Sequence, residues 1–326
     1  MKKPNEFLCY NMPGKHRNNK GTILIEQLRD NACYLQFNNF QHFPNLIHGI
    51  FTRDGGYSEP PYKGLNTLGS LRGGDKLDNV VRNRQLALHS LALDEVPCIT
   101  LWNVHGADVF VPDVHENWRS DWAYHSYYTQ TWTPQEIHKG DALITQQRGV
   151  ALALSFADCT PIALYEPTTQ SIGIAHGGWR GTARGVVLAT IAAMVEHFGS
   201  LPRDIYAGIG PAIGPCCYEV SQNVQDLFTG REQFEDMPIQ EQYRGLIRES
   251  AVFSTVQQPD KDSLRLDLWE TNRRQLLMAG LLPEHIEVAE ICTDCHVDHF
   301  FSHRAEHGKT GRFPMIMALA RGDTLQ

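Results

Sequence analysis

The chain has 326 residues, 42% hydrophobic and 20% charged, and its 29 Lys plus Arg against 37 Asp plus Glu leave it at −8 at pH 7. Such a composition belongs to an ordinary folded chain, and the acidic balance argues against partners gripped by bulk positive charge, so neither nucleic acid nor a membrane is expected as a partner. No apolar run reaches the ~18 residues of a membrane span, and eight cysteines are too few for a disulfide scaffold.

Residues 1–20 are charged and lack the apolar stretch of a signal peptide, so they read as a flexible polar N-terminal tail. Reduced thiols and a cytoplasmic location are the corresponding expectations. Residues 21–326 are expected to form a single α/β (α+β) domain, since strands and helices mix throughout with no linker.

A strand is predicted at 21–26, and LIHGIFT at 46–52 reads as a buried strand entering a turn at Asp54-Gly55-Gly56. Val80, Val81, Leu86, Leu88 and Leu91 recur at helical spacing over 78–92, with Asp78 as a candidate cap. A strand over 97–104 ends at His105-Gly106. The segment 113–138 carries three Trp and three Tyr without periodicity. It reads as a surface excursion or as a lid or interface.

GVALALSFA at 149–157 has the texture of a buried strand, and 161–165 and 171–175 are two more. The link between the latter two is too short for a parallel crossover, which makes them an antiparallel hairpin. HGGWRG follows, then a helix predicted from an N-cap at Thr182 to a stop at Gly199. Further strands are predicted at 205–209, 286–290 and 313–320. A helix after a short strand is predicted over 264–280, and helix and loop over 228–262.

Cys159 enters the hairpin and His176 leaves it. With a four-residue turn at 166–169, Tyr165 faces Gln170 and Cys159 faces His176 on the same sheet face. That suits a shared metal or a Cys–His pair. His105 also ends a strand and is distant in sequence, as the third ligand of a catalytic metal often is. Two imidazoles and a thiolate leave a tetrahedral position open, the pattern of a catalytic zinc site.

Arg53, Arg180 and Arg312 each accompany a Gly-rich turn, and the Gly177 and Gly178 amides precede a helix, which together suggest an oxyanion pocket. Cys292 and Cys295 form CTDC, but a zinc knuckle needs a second chelating pair, and the adjacent Cys216 and Cys217 look poorly disposed to supply it. Buried thiols near a strand end are the simpler expectation there.

The segments FTRDGGYSEPPYKGLNTLG (51–69), NVHGADV (103–109), GDALIT (140–145), GVALALSFADCTPI (149–162), IAHGGWRGTARGVV (174–187), GIGPAIGPCCYEV (208–220), LRLDLWETNRRQL (264–276) and CTDC…FFSHR…GKTGRF (292–313) together resemble the YfiH-like family, the laccase-domain or polyphenol oxidase-like proteins. The resemblance implies mixed sheets sandwiched by helices in a YfiH/CNF-like layered fold, and a metal site at His105, Cys159 and His176. It implies phosphorolysis of adenosine, inosine, guanosine and methylthioadenosine, with adenosine deaminase activity. It also brings Asn66, Arg304 and Arg312 into the candidate phosphate and substrate site. Departures from the usual family pattern fall at Asn103, His303 and Ala305, none of them a metal position.

The oxidase label meets a chemical objection. A mononuclear copper plus a trinuclear cluster needs many His in closely spaced H-x-H pairs, and none of the fifteen His forms one. A His₂Cys set also accommodates Cu²⁺, but an open position suits zinc chemistry better.

The expected function is therefore a zinc-dependent purine nucleoside phosphorylase and adenosine deaminase. Its partners would be a small nucleoside and phosphate, and a homodimer is compatible with the chain. Asp158 is expected to orient the site or carry a proton. The alternatives are a Cys–His hydrolase with Cys159 as nucleophile and His176 as base, including one that edits peptidoglycan precursors, and a metal-stabilised binding protein without activity.

Overall fold

A computed structural model describes residues 24–68, 74–94, 96–113, 122, 138–257 and 262–321. The 1–20 tail lies outside the described residues, as does the 113–138 segment apart from Asp113, Trp122 and His138. The strands in chain order are β1 (Leu24–Arg29), β2 (Ala32–Phe37), β3 (Leu46–Gly55), β4 (Cys98–Ile99), β5 (Val109–Phe110), β6 (Ala142–Thr145) and β7 (Ala151–Phe156). They continue as β8 (Thr160–Glu166), β9 (Ser171–Gly177), β10 (Tyr206–Ile209), β11 (Phe253–Val256), β12 (Ser263–Leu266), β13 (Ile286–Val288) and β14 (Phe313–Leu319). The helices are α1 (Leu77–Ser90), α2 (Trp179–Arg184), α3 (Val186–Phe198), α4 (Gln222–Thr229), α5 (Arg244–Ser250) and α6 (Leu268–Met278).

Two mixed six-stranded sheets carry the fold, ordered β1-β2-β3-β14-β7-β4 and β13-β10-β8-β9-β6-β5, beside a β11-β12 ribbon. The period-two alternation of the central strands explains how they stack. In β7, Leu152, Leu154 and Phe156 join Phe313, Met315 and Met317 of β14 against Ala163 and Tyr165 of β8 and Ile172 and Ile174 of β9. The opposite face of the first sheet, with Ala151, Ala153, Ile316 and Ala318, packs on Leu86, Ala87, Leu88 and Leu91 in and just after α1. The outer face of the second sheet, with Ile144, Ile162, Leu164 and Ala175, lies under Val187, Ile191 and Met194 of α3 and Leu276 of α6. The result is an α+β sandwich of two sheets between helices, as the sequence and its resemblance suggest.

Three local expectations need correction. The hairpin pairs Glu166 with Ser171 and Pro161 with His176, so its turn occupies 167–170. The Glu166 carboxylate fixes that turn by accepting from the Thr168 and Thr169 N–H groups, both at 2.7 Å. The helix expected from Thr182 begins instead at Trp179 and is broken at Gly185, whose φ of 79° and ψ of 36° separate α2 from α3. Asp78 does not cap α1. It lies in the first turn, after an N-cap at Lys76.

Candidate active site

The corrected register keeps the chemistry because it moves the pairing by two residues and so preserves the face. Pro161, Ala163 and Tyr165 of β8, and Ile172, Ile174 and His176 of β9, point between the sheets, and Cys159 continues that parity beyond the start of β8. Cys159 therefore lies diagonally from His176 and opposite Gly178. A Cβ on Gly178 would sit 2.8 Å from Cys159 Sγ and 3.4 Å from His105 Nδ1, so any side chain here would displace the Cys159 thiol.

His105, Cys159 and His176 each bring one ligand atom within 4.8 Å of the others. Their burial is graded, with His176 buried, Cys159 half-buried and His105 exposed. The His105 and His176 ring centroids are 5.2 Å apart, and Phe156 backs His176 at 5.5 Å. Two imidazoles and a soft thiolate, open on the His105 side, fit a tetrahedral zinc ion with one position free.

The residue that organises this corner is Asp141, just before β6. It is fully buried. Its Oδ1 accepts from His176 Nδ1 at 3.1 Å and from the His105 N–H at 3.1 Å, and its Oδ2 accepts from the Gly106 N–H at 2.6 Å and the Val104 N–H at 3.2 Å. One carboxylate thus fixes the His176 tautomer, leaving Nε2 for a ligand, and folds the loop that holds His105 at φ 58°. Asn103, a departure from the family pattern, also reaches Asp141 Oδ1, at 3.3 Å. Sequence reasoning quoted GDALIT without assigning Asp141 a role. The signal was an acid beside a Gly ahead of a short apolar strand.

The charges are arranged accordingly. Desolvation, then the positive charge on His176, lowers the His105 pKa to about 4, with Arg180 and Arg312 adding to the effect, so this ring is neutral and able to act as a ligand near pH 7. Burial would lower His176 too, but its interactions with Cys159 and with the Asp141 carboxylate overcome it and raise it to about 10. Burial works against the charge on Asp141, but the His176 and Gly106 hydrogen bonds prevail and hold its pKa down.

The other predicted site residues divide. Arg180 is exposed, with its guanidinium carbon 4.8 Å from the Trp179 ring centroid, and among the described residues no carboxylate pairs with it. The Arg312 side chain donates to the Gly311 carbonyl at 2.9 Å and lies close to Cys159 and Asp158. Arg53 is already engaged, by Glu306 at 3.2 Å, by the Val297 carbonyl at 2.8 Å and by the Phe301 ring at 4.4 Å. Asn66 is buried, and its Oδ1 accepts from the Arg312 N–H at 2.9 Å, so it positions the backbone of that arginine.

Asp158 adopts φ 79°, and its two carboxylate oxygens accept from Thr293 Oγ1 and from the Arg304 N–H, each at 2.7 Å. The Arg304 guanidinium turns away to the Glu219 carbonyl, 3.0 Å away, and lies over Tyr218. Gly177 ends β9 against Ile162 and Thr160, and Gly178 caps α2.

Two packed mixed sheets with a His₂Cys corner at the mouth of the central hairpin define a sandwich of the YfiH type. Residues 47–320 match the family model described as multi-copper polyphenol oxidoreductase laccase, and the chain belongs to that family. It is similar to a protein named purine nucleoside phosphorylase YlmD from Geobacillus stearothermophilus, with 37% identity over 83% of this chain and 89% of that one. It is also similar to a purine nucleoside phosphorylase of Bacteroides thetaiotaomicron, with 30% identity over 85% of this chain and 93% of the other. The crystal structure of YlmD from Geobacillus stearothermophilus superposes with a TM-score of 0.73 at 33% identity, covering 91% of this chain and all 100% of that one.

Proposed function

We propose that this chain is a purine nucleoside phosphorylase acting on adenosine, inosine, guanosine and methylthioadenosine, with adenosine deaminase activity at the same corner. The convergence of His105, Cys159 and His176 on one point carries the reading, and the names of relatives that span nearly the whole chain support it. These three residues would hold one Zn²⁺, which supplies Lewis acidity toward an oxygen or nitrogen at the open position. Residues 21–326 would serve as one catalytic domain.

The chain's own groups do the remaining work. In phosphorolysis a phosphate oxygen bonds to C1′ as the bond to the purine nitrogen breaks, and the leaving base takes a proton. Arg180 offers a fixed planar fork to the phosphate, with Arg312 as a second cation on the Cys159 side. Asp141 holds His176 in place throughout. Asp158, bonded at both oxygens, ties Cys159 to the Thr293 and Arg304 segments and acts by positioning.

The test is incubation with adenosine with and without phosphate, with products separated by chromatography and zinc measured on the same preparation. Adenine and ribose 1-phosphate should form only with phosphate, and inosine should form without it. Arg180→Ala should lower phosphate-dependent turnover about 10–100-fold, the worth of a charge-assisted pair, and spare deamination. Unchanged phosphate dependence would sink the role given to Arg180.

The contact between Cys159 and His176 also favours a second reading, a Cys–His hydrolase. Full activity after metal removal, abolished by thiol alkylation, would select it.

A further inference from the structure

Four cysteines outside the catalytic corner meet in space. Cys216, Cys217, Cys292 and Cys295 place their sulfurs within 4.8 Å of one another. Sequence spacing disfavoured this because neighbouring cysteines tend to diverge. The backbone resolves the difficulty by turning tightly at 214–218, where the Cys217 and Tyr218 N–H groups both donate to the Gly214 carbonyl, at 3.0 and 2.9 Å. Both thiols then reach Cys295, with Cys216 Sγ at 3.5 Å and Cys217 Sγ at 3.4 Å.

The geometry points to a second metal site, a tetrathiolate that binds Zn²⁺. A tetrahedral ion with Zn–S bonds of about 2.3 Å sets its sulfurs about 3.8 Å apart; the two contacts to Cys295 lie a few tenths of an ångström inside that edge, and all four sulfurs fall within 4.8 Å of one another. The two contacts are far beyond the ~2.05 Å of a disulfide. Cys292-x-x-Cys295 supplies a chelating pair on a turn closed by the His296 N–H donating to the Cys292 carbonyl at 3.1 Å. The Gly214 N–H donates to Cys292 Sγ at 3.2 Å. Such N–H···S bonds offset the charge of a metal-bound thiolate. Arg265, which donates to the Cys216 carbonyl at 2.9 Å, adds a cation beside a centre of net negative charge. Four sulfur donors with no oxygen or imidazole select a thiophilic ion and exclude calcium and magnesium chemistry. With four protein ligands the site is closed, so its role is structural.

Its place in the fold says what it holds. The two turns that carry the cysteines run alongside each other, with the Ala212 N–H donating to the Ile291 carbonyl and the Thr293 N–H to the Ala212 carbonyl, both at 3.1 Å. The Ile213 N–H donates to the Asp158 carbonyl at 3.0 Å, and Thr293 Oγ1 to the Asp158 carboxylate. An ion clamping 216–217 to 292–295 therefore fixes the cradle of Asp158, one residue from Cys159. As zinc binds, the thiols are deprotonated and their protons leave to solvent.

Metal analysis of the full chain tests the inference. A His105→Ala/Cys159→Ala/His176→Ala variant should keep one zinc per chain. Replacing that zinc with Co²⁺ should give the intense visible bands of tetrahedral tetrathiolate cobalt. Adding Cys216→Ser and Cys295→Ser should remove the ion. The Cys216→Ser/Cys295→Ser pair on the wild-type background separates the two sites, since any ion it retains belongs to the catalytic corner. If the five-fold variant does not fold, the cobalt spectrum of the triple variant decides alone. A triple variant without zinc, thiols that react with Ellman's reagent equally fast with and without zinc, or a disulfide found among these four cysteines by mass spectrometry would each overturn the site.

Discussion

The Asp141 carboxylate accepts hydrogen bonds from three successive backbone N–H groups, at 104, 105 and 106, and from the His176 ring. Asp141→Asn preserves size but replaces one acceptor oxygen with a donor, so it sets an N–H against N–H groups and weakens the hold on His176. Removing such an outer partner of a metal-ligating His typically costs 10–100-fold in metal affinity. Chelator competition on the purified variant should show a loss of about that size, and an unchanged affinity would mean that Asp141 only shapes the loop. The convergence of His105, Cys159 and His176 was legible in the sequence because strand parity and the family motif both constrain it. Asp141 was not, since its role needs two loops 35 positions apart to close on one carboxylate, and no spacing rule reports that. Arg53 shows what the fold adds to such a reading. A cation on a Gly-rich turn suggests an anion site, and only the fold reveals that Glu306 and the Val297 carbonyl already engage it.

At the scale of elements, the hairpin was read correctly as antiparallel but displaced, because residue counting cannot see that the Glu166 side chain pins the turn one position later. Likewise, the apolar periodicity of 182–198 hides the break at Gly185. β2 and β6 escaped sequence analysis, while β4 proved only two residues long. On β3, His48 is buried at 2% exposure, and its Nε2 accepts from the Phe37 N–H at 2.9 Å between the Phe37 and Phe40 rings. Burial lowers its pKa to about 3. The unfolded imidazole protonates near its ordinary 6.5, so between those values the unfolded state binds the extra proton. Stability from this group is full above about pH 6.5 and is lost as pH falls toward 3, by an amount on the order of a few kcal/mol. Urea unfolding across that window should show His48→Gln losing less stability than the wild type, because Gln keeps an acceptor and does not titrate. Parallel pH profiles would reject the assignment.

The whole molecule depends on how its two sheets meet, and one joint is unusually tight. Phe37, at the end of β2 in the first sheet, is fully buried, and its ring lies where a Cβ on Gly208 of β10, in the second sheet, would sit 2.4 Å away. The chain just beyond Phe37 then docks on the same sheet. The Asn38 and Asn39 N–H groups donate to the Glu287 carboxylate at 3.1 and 2.7 Å, and Asn39 Nδ2 donates to the Ala207 carbonyl at 3.0 Å. Phe37 therefore fills a notch that exists because position 208 has no side chain. Gly208→Val should destabilise by about 1–3 kcal/mol through overpacking, and Phe37→Ala by about 3–5 kcal/mol through the cavity it leaves. Since the two residues compete for one space, the double variant should lose clearly less than the sum, with a coupling of about 0.5–3 kcal/mol. Urea midpoints of the four proteins in the cycle measure this directly. Additive losses would show that the sheets can slide to absorb the valine, and the joint would then be softer than its packing implies.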